Sequence, residues 1–200
     1  MRAFNSPETV FLSLRSSLQS FNTVLDCWAW SQTRGSARRA TSILQHMEQR
    51  YAAKKSDFHP DITSYTTVIN AWSRSREKDA PAKAEEVLRW AEEAHREGIP
   101  DVKPNTLTYN SLINCYSKSN QRNASSRAES ALDLMKKLAL ESENEDCRPD
   151  VVTYTSVIDT IAKQSSLEAS VRAEVLLEEL ETAYRESLDP RLKPNIRTYT

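Results

Sequence analysis

Glycine is nearly absent from this 200-residue chain, which has only Gly35 and Gly98. Neither a P-loop nor a dinucleotide fingerprint can be built from two isolated glycines, so nucleotide-cofactor chemistry is not expected and no cofactor is assigned. Long apolar runs are lacking as well. None approaches the roughly 18 residues that a transmembrane helix needs, and mean hydropathy is negative, so no membrane partner is expected. Cysteine is scarce and odd in number. Cys27, Cys115 and Cys147 are too widely spaced for a disulfide framework or paired zinc knuckles, which points to a reducing compartment and to no metal site. An excess of one charge is missing too: the formal net charge is -1 and the isoelectric point is near 6.3. Any nucleic acid must therefore be met by a local face and not by bulk charge.

What the chain does have is internal repetition, which decides the fold before any other feature. The segments Phe21-Asn22-Thr23-Val24-Leu25, Tyr65-Thr66-Thr67-Val68-Ile69, Tyr109-Asn110-Ser111-Leu112-Ile113 and Tyr154-Thr155-Ser156-Val157-Ile158 align without gaps, and Tyr199 opens a fifth copy. The aromatics are 44, 44, 45 and 45 residues apart. Within a copy the apolar residues fall at i, i+3, i+4 and i+7, as in Tyr65, Val68, Ile69 and Trp72, which is one face of a helix. Nineteen residues after each aromatic stands an alanine, Ala40, Ala84, Ala128 or Ala173, opening a second amphipathic stripe such as Ala40, Ile43, Leu44 and Met47. Pro60, Pro104, Pro149 and Pro194 recur just ahead of the next aromatic, where they are expected to stop the second helix and impose an extended link.

A single helical pair cannot bury its own stripe, so the pairs must stack, with first helices on one surface and second helices on the other. The expected fold is all-α, a right-handed α-solenoid of helix-turn-helix units with a groove. The expected divisions are 18–61, 62–105, 106–150 and 151–195, then 196–200 as the truncated start of a fifth unit. Residues 1–17 read as a capping helix or partial repeat on the spacing of Val10, Phe11, Leu14 and Leu18. Their serines, Arg2, Arg15 and single acid Glu8 leave an organellar leader as the alternative.

The choice among two-helix families rests on the junctions. Pro60-Asp61-Ile62-Thr63-Ser64-Tyr65-Thr66, Pro104-Asn105-Thr106-Leu107-Thr108-Tyr109-Asn110, Pro149-Asp150-Val151-Val152-Thr153-Tyr154-Thr155 and Pro194-Asn195-Ile196-Arg197-Thr198-Tyr199-Thr200 closely resemble the junction of pentatricopeptide repeats. The resemblance covers residues 18–200. It departs in length, since these units run nine or ten residues beyond the family's usual roughly 35. Three extra residues precede the alanine, and six or seven follow it. If the latter extend the second helix they lengthen the outer surface by about 10 Å.

The resemblance implies a single-stranded RNA partner, one base per repeat, and no catalysis. It implies that the residue after the helix-opening aromatic works with the residue after the next junction proline. The pairs are Asn22 with Asp61, Thr66 with Asn105, Asn110 with Asp150, and Thr155 with Asn195. It further implies that Asn with Asp favours uracil and Thr with Asn favours adenine, giving 5′-U-A-U-A-3′. The alternative for these residues is plain helix capping and turn formation. The resemblance also implies that bases are sandwiched by the residues two before the aromatics, Thr63, Leu107 and Val152, with Gln19 a poor fit at that position. Nine residues after the aromatics come Arg74, Lys118 and Lys163, with Trp30 breaking the series. These cations suit either phosphate contact or the negative end of a helix dipole. The resemblance points to a mitochondrion or plastid and to RNA processing, stability or translation. The rival is an α-solenoid that scaffolds proteins, with protein partners along the extended second helices.

Catalytic candidates do not assemble. His46, His59 and His95 fall at unrelated repeat positions, and no His-x-Glu with Cys-x-x-Cys signature exists. Cys27 and Cys115 share a repeat position filled by Ala71 and Thr160 in the other copies, so a small packed side chain is expected there. The acid-rich run from Glu141 to Asp146 reads as a solvated loop.

Overall fold

The structure, a computed structural model, describes residues 17–31, 33–119, 121–141, 145–195 and 198–199. The expected capping helix, residues 142–144 of the acid-rich run, and residues 196, 197 and 200 of the fifth unit lie outside the described residues.

Among the described residues all regular structure is helical. Four pairs follow in order: α1 (Leu18–Trp30) with α2 (Ser36–Ala52), α3 (Ile62–Ser75) with α4 (Ala80–Arg96), α5 (Thr106–Lys118) with α6 (Ala124–Glu141), and α7 (Val151–Ala162) with α8 (Leu167–Ser187). Short 3-10 turns lie at Glu145–Cys147 and Pro190–Leu192.

The stripes read from spacing form the core. Tyr65, Val68, Ile69 and Trp72 are all fully buried on α3, as are Ala40, Ile43, Leu44 and Met47 on α2. Burying one such large side chain contributes about 1.5–3 kcal/mol. That burial needs neighbours. Each first helix packs on its own second helix and on the adjacent first helices, and α3, α5 and α7 pack also on the second helix before them. The first helices thus form a continuous layer, α1 to α3 to α5 to α7. Along the other layer run ion pairs between successive units: Arg38 with Glu77 at 2.7 Å, Arg127 with Glu85, and Arg172 with Glu129. The product is an α-solenoid.

Helix ends correct one expectation. The second helices stop at Ala52, Arg96, Glu141 and Ser187, seven or eight residues ahead of the junction prolines. Left-handed residues end three of them. Gly98 has φ 82° and Ile99 N–H donates to Ala94 O at 3.0 Å; Lys54 and Leu188 take the same region with φ 53° and 52°. The prolines instead occupy the position just before the next first helix's N-cap. There they have no helical N–H to withhold, and they bias the preceding residue towards extended backbone.

The links are not passive. Two residues before each junction proline an apolar side chain plugs back into the stack. Val102, Cys147 and Leu192 are buried, and the Phe58 ring lies 5.9 Å from that of Phe21. The Cys147 thiol also donates to Pro104 O at 3.0 Å.

The shared cysteine position needs a second correction. Cys115, Ala71 and Thr160 are buried, whereas Cys27, on the first described helix, is exposed among the described residues. Among the described residues no helix is long and apolar enough to cross a membrane.

Candidate nucleic-acid interface

The junction residues build the site from their capping role. Asp61, Asn105 and Asp150 are the N-caps of α3, α5 and α7. Their Oδ1 atoms accept from the backbone N–H of Ser64 (2.8 Å), Thr108 (3.1 Å) and Thr153 (2.8 Å). Each satisfies a helix-end N–H that lacks an intrahelical partner. Capping and pairing are therefore not alternatives here, because the same side chains also meet the first helix of the preceding unit.

Asn22 Nδ2 donates to Asp61 Oδ1 at 3.2 Å, and Asn110 Nδ2 donates to Asp150 Oδ1 at 3.1 Å. A hydroxyl closes each triangle. Ser64 Oγ lies 2.6 Å from Asn22 Oδ1 and 2.9 Å from Asp61 Oδ1; Thr153 Oγ1 lies 2.6 Å from Asn110 Oδ1 and 2.9 Å from Asp150 Oδ1. In each case one hydroxyl proton serves two acceptors. Thr66 and Asn105 are joined at one remove: Thr66 Oγ1 lies 2.9 Å from Thr108 Oγ1, which lies 3.1 Å from Asn105 Oδ1. Thr155 and Asn195 line one hollow of about 370 Å³, and Thr155 Oγ1 is buried with no partner among the described residues.

The cap fixes what each pair leaves open. The hydrogen bonds of Asp61 and Asp150 fall on Oδ1, so Oδ2 remains an unused acceptor. Asn105 must present its oxygen to the Thr108 N–H, so its amide cannot be turned the other way, and Nδ2 remains an unused donor. Thr108 gives its one proton to Asn105 Oδ1, an acceptor only. Thr66 must then donate to Thr108, which leaves Thr66 Oγ1 its lone pairs.

The capping hydroxyls Ser64, Thr108, Thr153 and Thr198 were not picked out from the sequence, although a hydroxyl residue precedes the aromatic at every junction. That recurrence was the available signal.

Thr63, Leu107 and Val152 are exposed beside the pairs, Leu107 at 67 % and Val152 at 53 %. A hollow of about 660 Å³ brings Thr63 and Leu107 together with Asp61 and Asn105.

Further along each first helix the residues one, five and nine places after the aromatic share a face, as in Asn22, Asp26 and Trp30, or Asn110, Asn114 and Lys118. The three cations at the ninth place are brought near one another but not placed alike. Arg74 lies over the Trp30 ring, its Cζ 3.6 Å from the centroid. Lys163 donates to Ser117 O and, at 3.0 Å, to Ser117 Oγ, so it serves the C-terminal end of α5. Lys118 is exposed and makes no hydrogen bond or ion pair with the described residues. Burial of part of its stem, then the charges of Arg74, Arg76 and Lys163, hold its ammonium below the ordinary lysine value. A local positive face thus exists in a chain of net charge -1.

A family model described as the pentatricopeptide repeat domain matches residues 42–119 and 89–164. Together these matches run through more than half of the chain. No curated protein and no solved structure matches it.

Proposed function

The chain belongs to the pentatricopeptide repeat family, which gives it a general RNA-binding role, and from that premise we propose that it reads single-stranded RNA, one base for each of the units 18–61, 62–105, 106–150 and 151–195. The observation that carries this reading is the alternation in what the capped pairs leave open. Asp61 and Asp150 offer an acceptor, and Asn105 offers a donor. A lone acceptor asks for a ring N–H, as on uracil N3 or guanine N1. A lone donor asks for a ring lone pair, as on adenine N1 or cytosine N3. Side-chain length makes the second choice. Asparagine at Asn22 and Asn110 is longer than threonine at Thr66, which favours a pyrimidine beside asparagine and a purine beside threonine. The two choices together select uracil, adenine, uracil, and by register adenine again at Thr155 and Asn195.

Thr63, Leu107 and Val152 are suited to stack against the faces of those bases, which every base offers and which therefore supplies affinity more than selectivity. Lys118 is the phosphate contact we favour most among Arg74, Lys118 and Lys163, because it alone of the three has no partner among the described residues. We assign the outcome, RNA processing, stability or translation in a mitochondrion or plastid, on family grounds only.

The test is fluorescence polarisation of labelled RNA bearing U-A-U-A against the same RNA bearing A-U-A-U, at two salt concentrations. Preferential binding of U-A-U-A that is lost on replacing Thr66 and Asn105 is the expected result; no binding to either RNA at low salt counts against it.

One observation favours a second reading, attachment of a protein to the outer layer. On α8, Leu167, Val171 and Val175 form an exposed i, i+4, i+8 stripe, where α4 and the turn before it carry Lys78, Ala82 and Glu86. Val171→Lys with Val175→Lys should leave RNA binding unchanged and abolish that attachment.

A further inference from the structure

Trp30 is the most exposed aromatic among the described residues, at 64 %. It stands at the ninth place after the helix-opening aromatic, where the other units carry Arg74, Lys118 and Lys163. It is also two turns beyond Asn22 on the same face of α1, with Asp26 between them. An indole on an otherwise polar stripe is costly to leave in water and cannot neutralise a phosphate. One of its faces is already occupied, since the Arg74 guanidinium lies 3.6 Å from the ring centroid. Among the described residues that cation makes no ion pair, and the group it rests on is the Trp30 indole. The rest of the ring faces solvent.

We propose that Trp30, braced by Arg74, is a stacking platform for one additional nucleobase, the one 5′ of the base assigned to Asn22 and Asp61. This rests on the RNA reading above and adds to it a fifth nucleotide that is held but not read. A ring face offers no hydrogen-bond pattern, so the platform accepts any base, purines better than pyrimidines because they cover more of the indole. The cation on the covered face holds the ring in place and leaves the other face open to a base. Arg74 is thereby a positioning residue for the platform as well as part of the positive face.

The test uses the full chain and RNA labelled at its 3′ end, so that the dye stays away from α1. A-U-A-U-A is compared with the same RNA carrying an abasic site at its 5′ nucleotide, for the unchanged protein and for Trp30→Ala and Trp30→Phe, with circular dichroism to check folding. The unchanged protein should bind the intact RNA about tenfold more tightly. Trp30→Ala should lose that difference while still preferring U-A-U-A to A-U-A-U, and Trp30→Phe should keep most of it. If the preference for U-A-U-A stands but the 5′ base makes no difference, or its effect survives in Trp30→Ala, the platform is wrong and the base reading is not. If the unchanged protein binds no RNA, both are wrong.

Discussion

The phenol of Tyr65, at the start of one first helix, donates to Glu48 Oε1 near the end of the preceding second helix at 2.9 Å. The contact repeats between Tyr109 and Glu92 at 3.3 Å. The next unit breaks the pattern in a compensated way. Lys136 stands where Glu48 and Glu92 stand, and Tyr154 turns to Glu179 on its own second helix at 2.7 Å, which in turn pairs with Lys136 at 2.6 Å. A phenol-carboxylate latch therefore ties each unit to its neighbour or to itself, beside a fully apolar stripe.

The latch makes stability depend on pH in a definite direction. Burial holds the Glu48 carboxyl above its ordinary value, with the charge of Glu93 adding to it and the Tyr65 hydrogen bond opposing; burial raises Glu92 likewise. A carboxyl whose folded pKa is raised contributes stability that is complete below the unfolded pKa and is lost as pH rises through the folded one. Denaturant midpoints of the unchanged protein, measured relative to Glu48→Gln with Glu92→Gln, should therefore fall as pH rises from about 4 towards neutrality. A difference that is flat across that range would refute the assignment. Tyr65→Phe, which leaves a partly desolvated carboxylate without its donor, should cost about 1–2 kcal/mol at neutral pH.

Why the latch was not legible is instructive about the rest. Spacing alone revealed both stripes, because Tyr65, Val68, Ile69 and Trp72 are neighbours within one helix. The Asp61 and Asn105 positions were legible because a proline marks each of them. A contact such as Tyr109 to Glu92 joins separate helices, and its existence depends on where each helix ends. Proline is the visible marker of such an end, while Gly98, Lys54 and Leu188 in left-handed backbone set it instead. The plugs at Val102 and Cys147 were hidden for the same reason, since a lone apolar residue in a link has no periodicity to reveal it. Arg74, Lys118 and Lys163 are cations at one repeat position, and their surroundings separate them.

Those surroundings lead to a graded salt dependence. Lys118→Ala should lower the slope of log affinity against log salt by about 0.7, the value of one phosphate contact on a single strand. Lys163→Ala should change the slope less and instead cost about 0.5 kcal/mol of stability, through the lost bond to the α5 terminus. Equal slopes for the two variants would mean that Lys163 leaves Ser117 when RNA binds.

The three cysteines should react unequally with a thiol reagent. Cys27 is exposed, whereas Cys115 and Cys147 are buried, and burial pushes the Cys115 thiol up to about 12. A thiolate is the reactive form, so an aromatic disulfide reagent at pH 8 should consume one thiol promptly in the folded protein and the other two only with denaturant. Prompt reaction of a second thiol would place the Cys115 or Cys147 packing in error.

The sharpest prediction concerns Asp61, because one substitution separates its two roles. Asparagine caps a helix as well as aspartate does, so Asp61→Asn should keep the Ser64 N–H bond and change stability by less than about 0.5 kcal/mol. To keep that bond the new amide must present its oxygen inward, as Asn105 does, and so turn its NH₂ outward where Asp61 has Oδ2. The open group changes from acceptor to donor while Asn22, and with it the preference for a pyrimidine, stays. The first base preferred should therefore change from uracil to cytosine, read as C-A-U-A overtaking U-A-U-A in polarisation measurements. Asp61→Ala removes cap and reader together and should cost about 1 kcal/mol of stability with loss of preference at that base alone. If Asp61→Asn keeps its uracil preference, the open atom of the pair is not what meets the base, and selectivity at this unit must arise from Asn22 or from stacking against Thr63.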